Sequence, residues 1–139
     1  MKKLLATLLA LLMLCGMSGA VAENADITGK VIIYTSMYQD ICDMMSEALK
    51  AQFPNAEIEF FQGGTGTLQT KVAGEMESGK LGCDMLMVAE PAYSLELKEG
   101  GWLHPYVTEA RNNLRFDYDE EGYWYPVRVC TMGFAYNPE

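Results

Sequence analysis

The hydrophobic pattern changes period again and again along this chain, and each change marks an element. Residues 30–36 read Lys-Val-Ile-Ile-Tyr-Thr-Ser. This continuous β-branched run predicts a strand buried on both faces, as in a parallel sheet. Over residues 39–53 the period becomes helical: Ile41, Met44, Met45, Ala48 and Leu49 are expected on one buried face. Asp40 suits a cap or first-turn acid, and Pro54-Asn55 ends the helix. Ile58, Phe60 and Phe61 predict a second strand over residues 57–62. The loop Gly63-Gly64-Thr65-Gly66 follows, then a helix to Ser78 with Leu68, Val72 and Met76 as its buried stripe. Lys71 and Glu75 are expected to face water as an i,i+4 pair, and Gly79 to close the helix. Residues 84–89 predict a third buried strand ending at Glu90. Pro91 opens a third helix that runs to Glu99 and stops at Gly100-Gly101.

Strand followed by helix, three times over, predicts an α/β fold with a mostly parallel sheet and right-handed crossovers. In such sheets ligands sit beyond the carboxyl ends of the strands. Three loops end there: residues 35–38, 63–67 and 89–91. The glycine loop is the most informative of them. Glycines permit positive φ and close approach to the backbone, and Thr65 or Thr67 can cap the next helix. A helix start also presents unpaired N–H groups to an anion. Many such turns only form a corner, so the loop alone does not define a site. A dinucleotide fingerprint would need glycine where Gln69 stands, and the Gly-Lys-Ser/Thr of a P-loop is absent.

Beyond residue 102 the pattern is less regular. Asp117, Asp119, Glu120 and Glu121 read as a solvated acidic turn. Residues 123–137 read as mostly extended, with a break at Pro126, as expected of a strand leaving one lobe for another.

The amino terminus carries targeting information. Lys2 and Lys3 precede an apolar run of about a dozen residues, too short to span a bilayer. Ala20-Val21-Ala22 supplies a small-x-small cleavage pattern. Residues 1–22 are therefore expected to be a secretory signal peptide and the product to be periplasmic or extracellular. Lipidation at Cys15 is the less favoured alternative, because Leu14 stands where a small residue is wanted. Removing Lys2 and Lys3 from ten basic residues leaves eight against 19 acidic ones, a formal charge of about −11. That surface repels nucleic acid and anionic lipid. Cys42, Cys83 and Cys130 are an odd set without metal-site spacing, and they read mainly as small core residues with any pairing left open. Met44, Met45, Met76, Met85 and Met87 are expected on core faces, and His104 in a loop. Arg128 is a candidate to pair with an acidic group of a ligand, the favoured reading, or with the acidic turn. No nucleophile–base constellation appears, so a binding protein is favoured over an enzyme.

Several of these stretches together resemble the extracytoplasmic solute-binding proteins of bacterial ABC importers, in the branch that includes ferric-iron, thiamine, phosphonate and sugar-phosphate binders. They are Val31-Ile32-Ile33-Tyr34-Thr35-Ser36, Gly63-Gly64-Thr65-Gly66, Cys83-Asp84-Met85-Leu86-Met87-Val88-Ala89-Glu90, Tyr123-Trp124-Tyr125-Pro126 and Gly133-Phe134-Ala135-Tyr136-Asn137. The resemblance implies two α/β lobes joined by crossing strands and closing over a solute. On that reading residues 23–128 form the first lobe and residues 129–139 the first crossing strand with the start of a truncated second lobe. It implies a membrane permease as partner, a monomer and no cofactor. For a ferric ligand it implies Tyr38 and Glu90 as hard oxygen donors. For a phosphate- or phosphonate-bearing solute it implies Ser36, Thr65 and Gly66, beside Gly64, as holders of the anion. Ferric iron ranks slightly ahead. From another class, a secreted α/β hydrolase fragment is the alternative, although the Gly-x-Ser-x-Gly elbow is missing.

Overall fold

A computed structural model describes residues 24–129 together with Gly133, Ala135 and Asn137. The expected signal peptide, Cys15 and Cys130 lie outside the described residues. The elements are β1 (Gly29–Thr35), α1 (Gln39–Gln52), β2 (Ala56–Gln62), α2 (Thr65–Glu77), β3 (Met85–Met87), α3 (Pro91–Glu99) and a 3-10 helix (Glu109–Asn113). Chain contacts divide into two compact units at Ala89 and Glu90.

The first unit holds a parallel three-stranded sheet in the order β2-β1-β3. Thr35 is level with Gln62 on one side and Met87 on the other, so all three strands end at one rim. The β-branched run forms the central strand, and Ile33, Tyr34 and Thr35 are buried there. This is the α/β architecture expected from the strand–helix alternation.

β3 is shorter than its hydrophobic run. Asp84 explains the late start: its N–H donates to the Ile32 carbonyl at 2.9 Å, and its carboxylate accepts the Ile32 N–H at 2.8 Å. A side chain thus replaces one rung of the ladder. Met85 is 53 % exposed, which corrects its assignment to the core.

α1 is also rotated from its expected setting. Its buried residue is Cys42, flanked by half-buried Ile41, Met45 and Leu49. Successive helical residues turn by about 100°, so Met44 points roughly 160° away from Cys42. Met44 is accordingly 60 % exposed, and Ala48 is exposed as well. Cys42 and Cys83 are both free thiols, Cys42 buried and Cys83 half-buried.

α2 buries Leu68 and Val72 completely. Its Lys71–Glu75 pair forms at 2.8 Å, but the expected open-water setting does not hold. Glu75 also accepts the Tyr34 hydroxyl at 2.8 Å and the Gly82 N–H at 2.8 Å. The Lys71 ammonium lies 5.0 Å from the Tyr34 ring centre and 5.1 Å from that of Phe61. Burial and the bond to Glu75 raise the Tyr34 pKa. Burial works against the charged form of Glu75, yet Lys71, the Gly82 N–H and Tyr34 together hold its pKa below the usual value. Gly79 ends the helix at φ +75°.

In the second unit, Pro91 occupies the first turn of α3, and Tyr93 and Leu97 are its buried residues. Gly100 caps the helix and Gly101 turns the chain at φ +72°. The acidic turn is not uniformly solvated. The Asp119 side chain is only 9 % exposed, pairs with Lys98 at 2.5 Å and accepts the N–H groups of Glu121 and Tyr123. Chain reversal places its carboxylate against its own following backbone, while Asp117 and Glu120 stay exposed. His104 is an exposed loop residue. Residues 124–129 carry neither helix nor strand, and most of the remaining stretch expected to cross between lobes lies outside the described residues.

Candidate functional site at the sheet rim

The parallel register brings the loops after β1 and β2 side by side. The ladder continues past the strands: Gly63 N–H donates to the Thr35 carbonyl at 3.1 Å, and Ser36 N–H donates to the Met87 carbonyl at 2.9 Å. Ser36, Tyr38, Gly64, Thr65 and Gly66 therefore share the carboxyl rim of one sheet.

Each presents different chemistry. The half-buried Ser36 hydroxyl donates to the Met87 carbonyl at 3.4 Å, so it must turn to donate to a solute. Tyr38 is the N-cap residue of α1 and is 67 % exposed. Asp40 stands in the first turn of α1 as an acid. At α2 the cap differs from expectation. Gly64, not Thr65 or Thr67, is the N-cap residue, and no side chain accepts a bond there. Thr65 has already entered the helix. The first intrahelical bond runs from Leu68 N–H to the Gly64 carbonyl at 3.0 Å. The N–H groups of Thr65, Gly66 and Thr67 are thus the unshared donors of a helix start. The Gly66 position has open space around it, and a Cβ at Gly64 would meet nothing closer than 4.0 Å.

Glu90 and Arg128 fall in the second unit. Glu90 is the exposed N-cap residue of α3, three residues beyond β3, and Arg128 is exposed. Among the described residues, no group of three or more His, Cys, Asp and Glu side chains is gathered to hold a metal ion. A cavity of about 350 Å³ is lined by Ser46, Lys50, Ala56, Glu57 and Ile58. Ala56 and Glu57 begin β2, so this cavity lies at the opposite end of that strand from the rim.

Two residues that were not among the candidate site residues shape the rim. Thr35 is fully buried, and its hydroxyl accepts the Met37 N–H at 3.1 Å. Gln62 donates from Nε2 to the Met37 carbonyl at 3.2 Å. The available signal was their place: each is the last residue of a strand that feeds a rim loop.

Three parallel strands, helices after each, and polar loops gathered at the carboxyl rim define a lobe of the periplasmic-binding-protein type. A solved structure of the periplasmic binding protein P5PA shares this fold, with a TM-score of 0.50 and 24 % identity. The match covers 60 % of this chain and 26 % of that one, so the chain spans about a quarter of that protein's length. Residues 38–139 match the family model of the bacterial extracellular solute-binding proteins, and the chain belongs to that family. No curated protein matches it. Among the described residues, no helix is long and apolar enough to cross a membrane.

Proposed function

We propose that this chain belongs to the substrate-binding component of an ABC importer. It takes up a small solute outside the cytoplasmic membrane and passes it to a membrane permease. We place the solute against the rim of β1 and β2 and take it to carry a phosphate or phosphonate group. The carrying observation is the bare start of α2: Gly64 caps it without a side-chain bond, and the next three N–H groups have no helical acceptor. Such a terminus carries partial positive charge and favours an anion. The overall acidity of the chain makes a local source of positive potential the more necessary. In this reading Thr65 and Gly66 give backbone donors, Gly64 allows close approach, and Ser36 adds a hydroxyl.

Ferric iron is the second reading. It is favoured by the exposure of the Tyr38 phenol, a hard donor at the same rim. A hydrolase would need a nucleophile such as Ser36, and that hydroxyl is bonded to a main-chain carbonyl. Thermal-shift titration with inorganic phosphate, a phosphonate, thiamine and ferric citrate tests these readings. A rise in melting temperature with phosphate or phosphonate supports the first, and a rise with ferric citrate alone supports the second.

A further inference from the structure

Gln62 ends β2 and immediately precedes the glycine loop. Its side chain reaches sideways to the Met37 carbonyl in the neighbouring loop. From the other direction, the buried Thr35 hydroxyl takes the Met37 N–H. Met37 is therefore gripped by both its main-chain polar groups, one grip coming from each of two adjacent strands. The next residue is Tyr38. Past the Gly63–Thr35 backbone bond, the Gln62 amide carries the connection to the first loop two residues further along, at Met37.

We propose that Gln62 is a positioning residue that locks the Tyr38 loop to the glycine loop, so that the two sets of solute donors keep a common register. It touches no solute itself and acts through Met37 on the loop that carries both Ser36 and Tyr38. The purpose of this lock rests on the solute-binding reading above; its geometry does not. Gln62 is exposed, so water competes for its bond and the fold as a whole gains little from it. The local effect is larger, because loop amides open without global unfolding. A residue that served only fold stability would show the reverse order.

Hydrogen exchange of the full chain, followed by mass spectrometry, tests the lock without any solute. Gln62→Met keeps the size of the side chain and removes the donor. Exchange over residues 37–42 should accelerate about threefold to tenfold, with the β1 and β2 amides and the melting midpoint unchanged. Gln62→Lys keeps a donor and should restore slow exchange. Unchanged exchange in Gln62→Met, or equal acceleration throughout both strands, overturns the positioning role. A second arm adds saturating inorganic phosphate. In the wild type, phosphate should slow exchange in residues 37–42 and 64–68 together; in Gln62→Met it should slow only residues 64–68. Slowing of residues 64–68 alone in the wild type overturns the coupling. No slowing anywhere overturns the phosphate reading, and the solute-free comparison still decides for or against the lock.

Discussion

The Tyr34 hydroxyl donates to Glu75 Oε1 across 2.8 Å, tying the central strand to the closing turn of α2. Glu75 uses its second oxygen for the Gly82 N–H, so one carboxylate joins strand, helix and the loop that leads to β3. Tyr34→Phe should cost about 1 kcal/mol in urea denaturation, since one bond is lost and Glu75 keeps its other partners. Glu75→Gln should also remove part of the acid sensitivity. The folded-state pKa of Glu75 is depressed, so its contribution is complete above the unfolded carboxylate value of about 4.3 and declines as pH falls towards the folded value. Denaturation midpoints collected from neutral pH down to that acid range should fall less steeply in Glu75→Gln than in the wild type.

Glycine substitutions should separate by position. A Cβ at Gly82 would stand 2.5 Å from the Tyr34 hydroxyl and 2.9 Å from Glu75 Oε1. Gly82→Ala should therefore destabilise by about 1–3 kcal/mol. Gly74 lies inside α2 with nothing within 4 Å. Gly74→Ala should stabilise by up to about 1 kcal/mol, because helical glycine carries an entropic cost. Thermal melts of the two variants should move in opposite directions.

Two apolar residues of similar size should behave very differently. Leu68 is completely buried, and Leu68→Ala should cost about 2–5 kcal/mol. Met44 faces water, and Met44→Gln should stay within about 0.5 kcal/mol of the wild type. A large loss from Met44→Gln would contradict the rotation of α1 described above.

The anion reading predicts a variant in which stability and binding part company. Gly66→Asp places a carboxylate in the first turn of α2, where space is open. The helix dipole should reward that charge by about 0.3–1 kcal/mol. The same charge repels a phosphate at the helix start. A raised melting temperature together with lost phosphate binding is the expected pair of results.

Much of the architecture could be read before the coordinates, because its determinants are local. The β-branched run at Val31, Ile32 and Ile33, the proline at the start of α3 and the turning glycines Gly79 and Gly101 act within a few residues of themselves. Met44 was misread because Cys42 sets the buried direction of α1, and hydrophobicity ranks methionine and cysteine too evenly to reveal it. Asp119 and Glu75 were misread for another reason. Their partners Lys98 and Tyr34 are 21 and 41 residues away in sequence, beyond the reach of periodicity. The loops after β1 and β2 were legible as neighbours, because each follows a strand of one parallel pair. Their bracing by Gln62 and Thr35 was invisible, since it depends on the register between β1 and β2.

Cys42 is 1 % exposed, and burial raises the pKa of its thiol. Reagents that attack thiolates meet neither an accessible sulfur nor its reactive form. Alkylation there consequently measures how often α1 lifts from its seat. The chain carries a native clock for its own partial opening, readable by mass without any attached dye.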